Sequence, residues 1–232
     1  MSLILSIDAS AVTASAALTD GDRILKNEWM NTGLTHSETL LPMIKRVMGD
    51  TPYRSLDAIA ITAGPGSFTG VRIGVATAKG LAFLNDTPCI PVSTLEAIAY
   101  NFVGTAEKTV ICALMDARRM QFYNALFCVE GTHVERLTPD RAIALEALRE
   151  ELAAFDHVIL AGDGAQLCAA HIGLENCRLA AEEQLYQNAT AVALAAAHHD
   201  RIPPAQLMPT YLRLPQAERE LKLKMKRKGE IS

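Results

Sequence analysis

The sequence predicts an α/β protein of two duplicated lobes, each β-β-β-α-β-α, because the same series of patterns occurs twice. LILSIDAS (3–10), an apolar strand ending in an aspartate, is matched by TVICALMDAR (109–118), and DAIAITAGPG (57–66) is echoed by DHVILAGDG (156–164). With 232 residues, 50% of them hydrophobic and 21% charged, the chain has enough apolar material for a proper core.

The first lobe opens on the strand that ends at Asp8. ASAALTD (14–20) and RILKNEWM (23–30), joined at Asp20-Gly21-Asp22, read as two further strands of a meander. Thr35 and Glu38 form a capping box before a helix whose apolar face is Leu40, Leu41, Ile44, Val47 and Met48, with Pro42 predicting a kink. A strand over 58–62 then feeds the Gly64-Pro65-Gly66 turn and a second helix. On that helix Gly66, Gly70, Gly74, Ala78 and Ala82 recur every fourth residue, a side-chain-poor stripe that lets a neighbour approach closely. CIPV (89–92) is a strand, and Ser93 with Glu96 caps the helix that closes the lobe near Val103.

In the second lobe, QFYNALFCVEG and THVERL read as hairpin strands, and DRAIALEALREELAAF (140–155) as one amphipathic helix. After the strand over 156–164, a last helix spans roughly 190–199, ahead of Pro203-Pro204 and MPTYLRLP. The expected organisation is a first lobe (1–103), a smaller second lobe (104–213) whose last helix packs back on the first, and a basic tail (214–232).

The apolar start is broken by Asp8 and has no basic leader, so the sequence predicts neither a signal peptide nor a membrane span, and a cytoplasmic protein without membrane contact. Cys89, Cys112, Cys128, Cys168 and Cys177 are odd in number and lack a C-x-x-C pair, which favours buried free thiols over disulfides or zinc. Residues 216–232 carry six basic and three acidic groups; subtracting that +3 from the chain's net −4 leaves −7 on the rest. An acidic body disfavours unaided nucleic-acid binding, while the tail is either a solvated terminus or a weak contact for RNA or a partner. There is no H-E-x-x-H and no G-x-S-x-G, which argues against a peptidase, and Ser67 reads as a helix N-cap. A strand feeding a glycine turn at a helix start also suits an anion, so the block over 57–85 offers two uses, a phosphate site or a helix-packing surface.

IDAS (7–10), THSETLLP (35–42), AGPGSFTGVRIGVATAKGLA (63–82), PVSTLEAIA (91–99), DARR (116–119) and PTYLR (209–213) closely resemble the TsaB (YeaZ) family, within the actin, Hsp70 and sugar-kinase superfamily of ribonuclease H-like (ASKHA) lobes. The resemblance runs over essentially the whole chain. It implies an accessory subunit in making N6-threonylcarbamoyladenosine (t6A) at adenosine 37 of tRNAs reading codons that begin with A. In such systems the paralogue TsaD performs the transfer and a TsaE-like ATPase joins the complex. It further implies that the first-lobe helices pair with TsaD, or with a second copy when TsaD is absent, which places Leu40, Leu41, Ile44, Gly70, Val71, Gly74, Val75 and Ala78 at a partner interface. tRNA is then reached indirectly, through the complex.

The catalytic paralogue carries a metal-binding His-x-x-x-His on the helix after the glycine block; here those positions are Thr94 and Ile98, and an isoleucine cannot ligate a metal. The superfamily's ATPases grip phosphate with a loop from each lobe, and here the loops 8–11 and 116–119 contain no glycine. Asp8, Ser10, Gly64, Gly66, Asp116, Arg118, Gly162 and Gly164 are accordingly expected as remnants of a nucleotide site, with ATP or ADP bound weakly or with the partner's help, no catalytic residue, and the metal on the TsaD-like partner. The alternative is a stand-alone ATP-dependent small-molecule kinase on the same fold.

Overall fold

The computed structural model of the protein describes residues 2–31 and 35–213; the basic tail lies outside them. Strands β1 (Leu3–Asp8), β2 (Ala14–Asp20), β3 (Arg23–Met30), β4 (Ala58–Gly64) and β5 (Cys89–Ser93) form a sheet in the order β3-β2-β1-β4-β5. With it come helices α1 (His36–Met48), α2 (Phe68–Phe83) and α3 (Thr94–Tyr100). The second lobe comprises β6 (Thr105–Asp116), β7 (Gln121–Gly131), β8 (His133–Arg136), β9 (Arg141–Ala144), α4 (Leu145–Leu152), β10 (Val158–Ala161), α5 (Ala165–Ile172), β11 (Cys177–Leu179), α6 (Glu182–Leu185) and α7 (Ala189–Ala196). Its sheet runs β11-β10-β6-β7-β8, with β9 also on β7. Read from β8, that order repeats the first sheet. In both lobes the first strand pairs antiparallel with the next and parallel with the strand that follows a helix.

Alternation along the strands sets the layers. Leu5, Ile7, Ile59 and Ile61 face Met43, Ile44, Val71 and Val75 of α1 and α2, whereas Ala58 and Ala60 face Ala97 of α3 and Val192 and Ala195 of α7. In the second sheet Cys112, Leu114 and Leu126 meet Leu148, Leu152 and Cys168, while Ile111, Ala113 and Phe127 meet Leu95, Ile98 and Phe102. Helix α3 therefore lies between the two sheets, and Thr94, Leu95, Ala97, Ile98, Ala99 and Tyr100 are all buried. Helix α7 packs on the first sheet although it follows the second in sequence.

Polar contacts close the seam. Ser93 donates to Asp140 (2.6 Å), Arg136 binds Asp140 and Glu96 (2.5 and 3.2 Å), and His199 meets Glu96 at 3.0 Å. Burial pushes the Glu96 carboxyl up, but the His199 hydrogen bond and the Arg136 charge outweigh it and hold it below the ordinary range. Four of the five cysteines are buried, and burial raises Cys89 to about 11 and Cys168 to about 12, so these thiols stay protonated. No helix of the described residues is long and apolar enough to cross a membrane.

The structure departs from the sequence reading in three places. The helix expected over 140–155 is split, because Arg141–Ala144 pairs antiparallel with Gln121–Asn124, where β8 leaves β7 an open edge. The Thr35 hydroxyl bonds the Glu38 carboxylate (2.9 Å) and no backbone N–H, so the box is a side-chain pair. Strand β11 and helices α5 and α6 were not anticipated; β11 and α6 are too short to show a period, and α5 spans only eight residues.

Gly162 and Gly80 make opposite test positions. Gly162 has φ +105°, and a β-carbon there would run into the Leu114 carbonyl. Gly162→Ala should lower unfolding free energy by about 3 kcal/mol or more. Gly80, mid-helix with nothing near its β position, should gain about 0.5–1 kcal/mol as alanine. Urea titration of both variants measures the contrast.

Candidate functional site

The ends of β1, β6 and β10 converge on a cleft between the lobes with a volume of about 510 Å³. Gly66, Ser67, Phe68 and Thr69 line it from the first lobe, Asp116, Arg118, Tyr123 and Asp163 from the second, and Thr210 to Arg213 from the final described segment. That segment bridges the lobes: the Thr210 N–H donates to the Ala63 carbonyl (2.6 Å) and Arg213 to the Ala117 carbonyl (2.9 Å).

Asp8 lies beneath the cleft, fully buried. One of its oxygens accepts from the Ser10 and Thr62 hydroxyls, each at 2.6 Å, and the other has no partner among the described residues. Gln187 donates to the Ser10 hydroxyl at 3.2 Å. Burial raises the Asp8 pKa, and the hydrogen bonds that favour the anion only partly offset it. Asp116 is exposed and accepts from the Arg118 N–H at 2.6 Å.

Sequence reasoning missed Asp163, although its place between Gly162 and Gly164 echoes the first glycine turn. Its carboxylate accepts the Asp116 N–H at 3.2 Å. Burial first, then the charges of Asp116 and Asp8, push its pKa up to about 7. Phe68, Arg72 and Tyr211 were missed as a group because 139 residues separate Arg72 from Tyr211; the Arg72 Nε donates to the Tyr211 hydroxyl at 2.8 Å.

The four candidate glycines are close-packing positions. A β-carbon on Gly66 would collide with the Ser10 carbonyl, on Gly64 with that of Thr210, on Gly162 with that of Leu114, and on Gly164 it would lie 2.9 Å from Met115 backbone carbon. The space a phosphate would need against these backbones is filled by the chain itself, and the Ser67 N–H is already donated to the Ser10 carbonyl (2.7 Å). These residues therefore do not fit a triphosphate cradle. Among the described residues, no group of three or more His, Cys, Asp or Glu side chains is placed to hold a metal ion. Thr94 and Ile98 are fully buried, Ile98 in the cluster between the sheets.

The interface residues need correction as well. Gly70, Val71, Gly74, Val75 and Ala78, with Leu40 and Ile44, are buried inside their own lobe; of the eight, only Leu41 is exposed, at 52%. The small stripe lets α2 settle on its own sheet and the turn after β1. A β-carbon on Gly70 would strike the Ala9 carbonyl, and one on Gly74 would press on Ile61 Cδ1 at 3.1 Å. The outward face of α2 instead carries Thr69, Arg72, Ala76, Gly80 and Phe83, with Leu84 just beyond.

The raised Asp163 pKa has a consequence for stability. The folded protein binds its proton more tightly than the unfolded chain, so this carboxyl makes stability fall as pH rises from about 4 to about 7. Asp163→Asn should flatten that slope and raise stability at pH 8 by roughly 1–3 kcal/mol. Urea midpoints of both proteins across pH 4–8 test it, and parallel profiles would refute it.

The family model of TsaD, tRNA N6-adenosine threonylcarbamoyltransferase, matches residues 31–202. TsaB, the tRNA threonylcarbamoyladenosine biosynthesis protein of Bacillus subtilis (strain 168), is 35% identical over 159 residues, covering 68% of this chain and 69% of that one. The protein of the same name from Haemophilus influenzae is 37% identical over 123 residues, 52% of this chain and 51% of the relative, so the match spans about half of its length. The solved structure of YeaZ from Pseudomonas aeruginosa superimposes with a TM-score of 0.79 at 25% identity, over 91% of this chain and 100% of the other. These matches, over a fold of two repeated sheets, show that the chain belongs to the TsaB (YeaZ) family.

Proposed function

We propose that this protein is a non-catalytic subunit in t6A biosynthesis, which activates a TsaD-like paralogue by pairing with it. The relatives named tRNA threonylcarbamoyladenosine biosynthesis proteins supply the pathway. The observation that carries the division of labour is the chemistry of α3. At the two positions where the catalytic paralogue keeps histidines, this chain has a buried threonine and a buried isoleucine packed between the sheets. In this reading the metal belongs to the partner, and any nucleotide is held with the partner's help.

The outward face of α2 is the surface that suits the partner. Phe83 and Leu84 are 80% and 85% exposed, and Leu41 on α1 is 52% exposed. Ala76 and Gly80 beside them would let another helix approach closely. Covering an exposed phenylalanine or leucine contributes roughly 1.5–3 kcal/mol each before association costs. The same face would join two copies when the partner is absent. A TsaE-like ATPase and the tRNA then engage the assembled pair.

Phe83→Asp puts a charge on this face at a position the fold does not need. It should weaken capture of the TsaD-like partner at least tenfold and lower t6A in tRNA while leaving the urea midpoint within experimental error. Undiminished capture and modification would overturn the interface. Threonylcarbamoyl transfer to tRNA by this chain alone, free of the paralogue, would overturn the accessory role.

A further inference from the structure

The mouth of the interlobe cleft gathers arginines and aromatic rings with no established use. The Arg72 guanidinium lies 4.0 Å from the Phe68 ring centroid and 5.9 Å from that of Tyr211, and the two rings are 5.0 Å apart. Tyr211 keeps 40% of its surface exposed. Arg118 enters from the second lobe and Arg213 from the bridging segment. Arg46, Arg136 and Arg141 each hold a carboxylate elsewhere in the protein. Among the described residues, no side-chain carboxylate bridges Arg72, Arg118, Arg119 or Arg213.

The loop that presents two of these cations is held in an uncommon shape. Arg118, Arg119 and Met120 have φ of +65°, +60° and +53°, three consecutive left-handed residues without a glycine, at a cost of roughly 1–2 kcal/mol each. The Asp116 carboxylate, accepting the Arg118 N–H, fixes the turn. Both arginine side chains are exposed. Asp116 and Asp163 are the acidic groups of the cleft, and Asp163 lies deeper in it than the arginines. The body of the molecule is net acidic, and Arg118 and Arg213 line the same cleft as Tyr211. The tail over 216–232, taken whole, carries six basic and three acidic groups.

We infer that this cleft mouth is an RNA contact, at which an unpaired nucleotide stacks on Tyr211 while Arg118, Arg119 and Arg213 take the neighbouring phosphates. Guanidinium groups and aromatic faces are the side chains that single-stranded RNA uses in combination. A free nucleotide triphosphate suits the place less well, because the backbones that would cradle its phosphates are covered by the chain's own carbonyls. The inference rests on the accessory reading above and names the tRNA as what the cleft meets in the assembled complex.

The test uses the complex of the full chain with its TsaD-like partner, a fluorescent tRNA transcript, and a salt series. Two variants are compared with the natural protein, Arg118→Glu with Arg119→Glu, and Tyr211→Ala alone. Each should weaken tRNA binding at least tenfold, and the charge reversal should also reduce the slope of log K against log salt by about 1–2. Partner capture, read by gel filtration of the same samples, should not change. Unchanged tRNA affinity in an intact complex would overturn the RNA contact and leave the accessory role standing. Loss of partner capture would make the cleft mouth a protein contact, and tRNA binding outcompeted by micromolar ATP would make it a free-nucleotide pocket; either overturns the inference. Failure of the natural chain to form the complex would remove the accessory reading, and this inference with it.

Discussion

The structure depends on one helix being covered by both sheets, with only Glu96 of its seven residues partly exposed. Helix α3 has a sheet above it and a sheet below it, so Ala97 belongs to one core and Leu95, Ile98 and Phe102 to the other. Fully burying such large side chains is worth roughly 1.5–3 kcal/mol each, and here that burial is also what fastens one lobe to the other. A histidine at position 98 would bring an imidazole into a cluster of Ile111, Met115 and Phe127, where an unpartnered polar ring costs several kcal/mol. Ile98 is thus among the side chains that hold these lobes together.

Within each lobe, the turns beside the cleft need backbone to touch backbone. Gly162 and Gly164 allow the turn after β10 to lie on β6, and Gly66 allows the turn after β4 to lie on Ser10. The bridging residues 210–213 then cross from Ala63 to Ala117 over the top of the cleft. On the opposite side the Ser93, Glu96, Arg136, Asp140 and His199 network joins α3 to the second lobe and to the segment after α7. The lobes are held together at the helix, by the bridging segment and by this polar network.

Much of this was legible in the chain. Strands β2, β3 and β7 begin and end where the strand-forming runs and the flanking turn residues put them. The Ser93 cap was equally plain and is present, with the serine hydroxyl accepting the Glu96 N–H. The residues over 141–144 were misread because their partner, the free edge of β7, is set by the length of β8 rather than by anything local. The glycine stripe shows the sharpest limit. Its four-residue period states that something comes close, and does so correctly, but periodicity cannot say whether the neighbour is another subunit or Ala9 and Ile61 of the same one. Tyr211 and Arg72 are invisible for the reverse reason, being far apart in the chain and joined only once both lobes and the bridging segment are folded.

Helix α2 shows how the inward and outward requirements separate. Its inner face is fixed by the sheet, where Gly70 and Gly74 have no freedom to grow. Its outer face has the opposite character, since Gly80 has open space at its β position and Phe83 and Leu84 stand in solvent. Glycine in the middle of an exposed helix costs about 1 kcal/mol against alanine, and solvent-facing phenylalanine returns nothing to the monomer. Folding alone gives no reason for either residue. Both make sense if the helix is completed by a second helix that needs a low point at 80 and an apolar knob at 83. Coverage of that face would then stabilise the subunit as it forms the complex, which ties the protein's own stability to the presence of its partner.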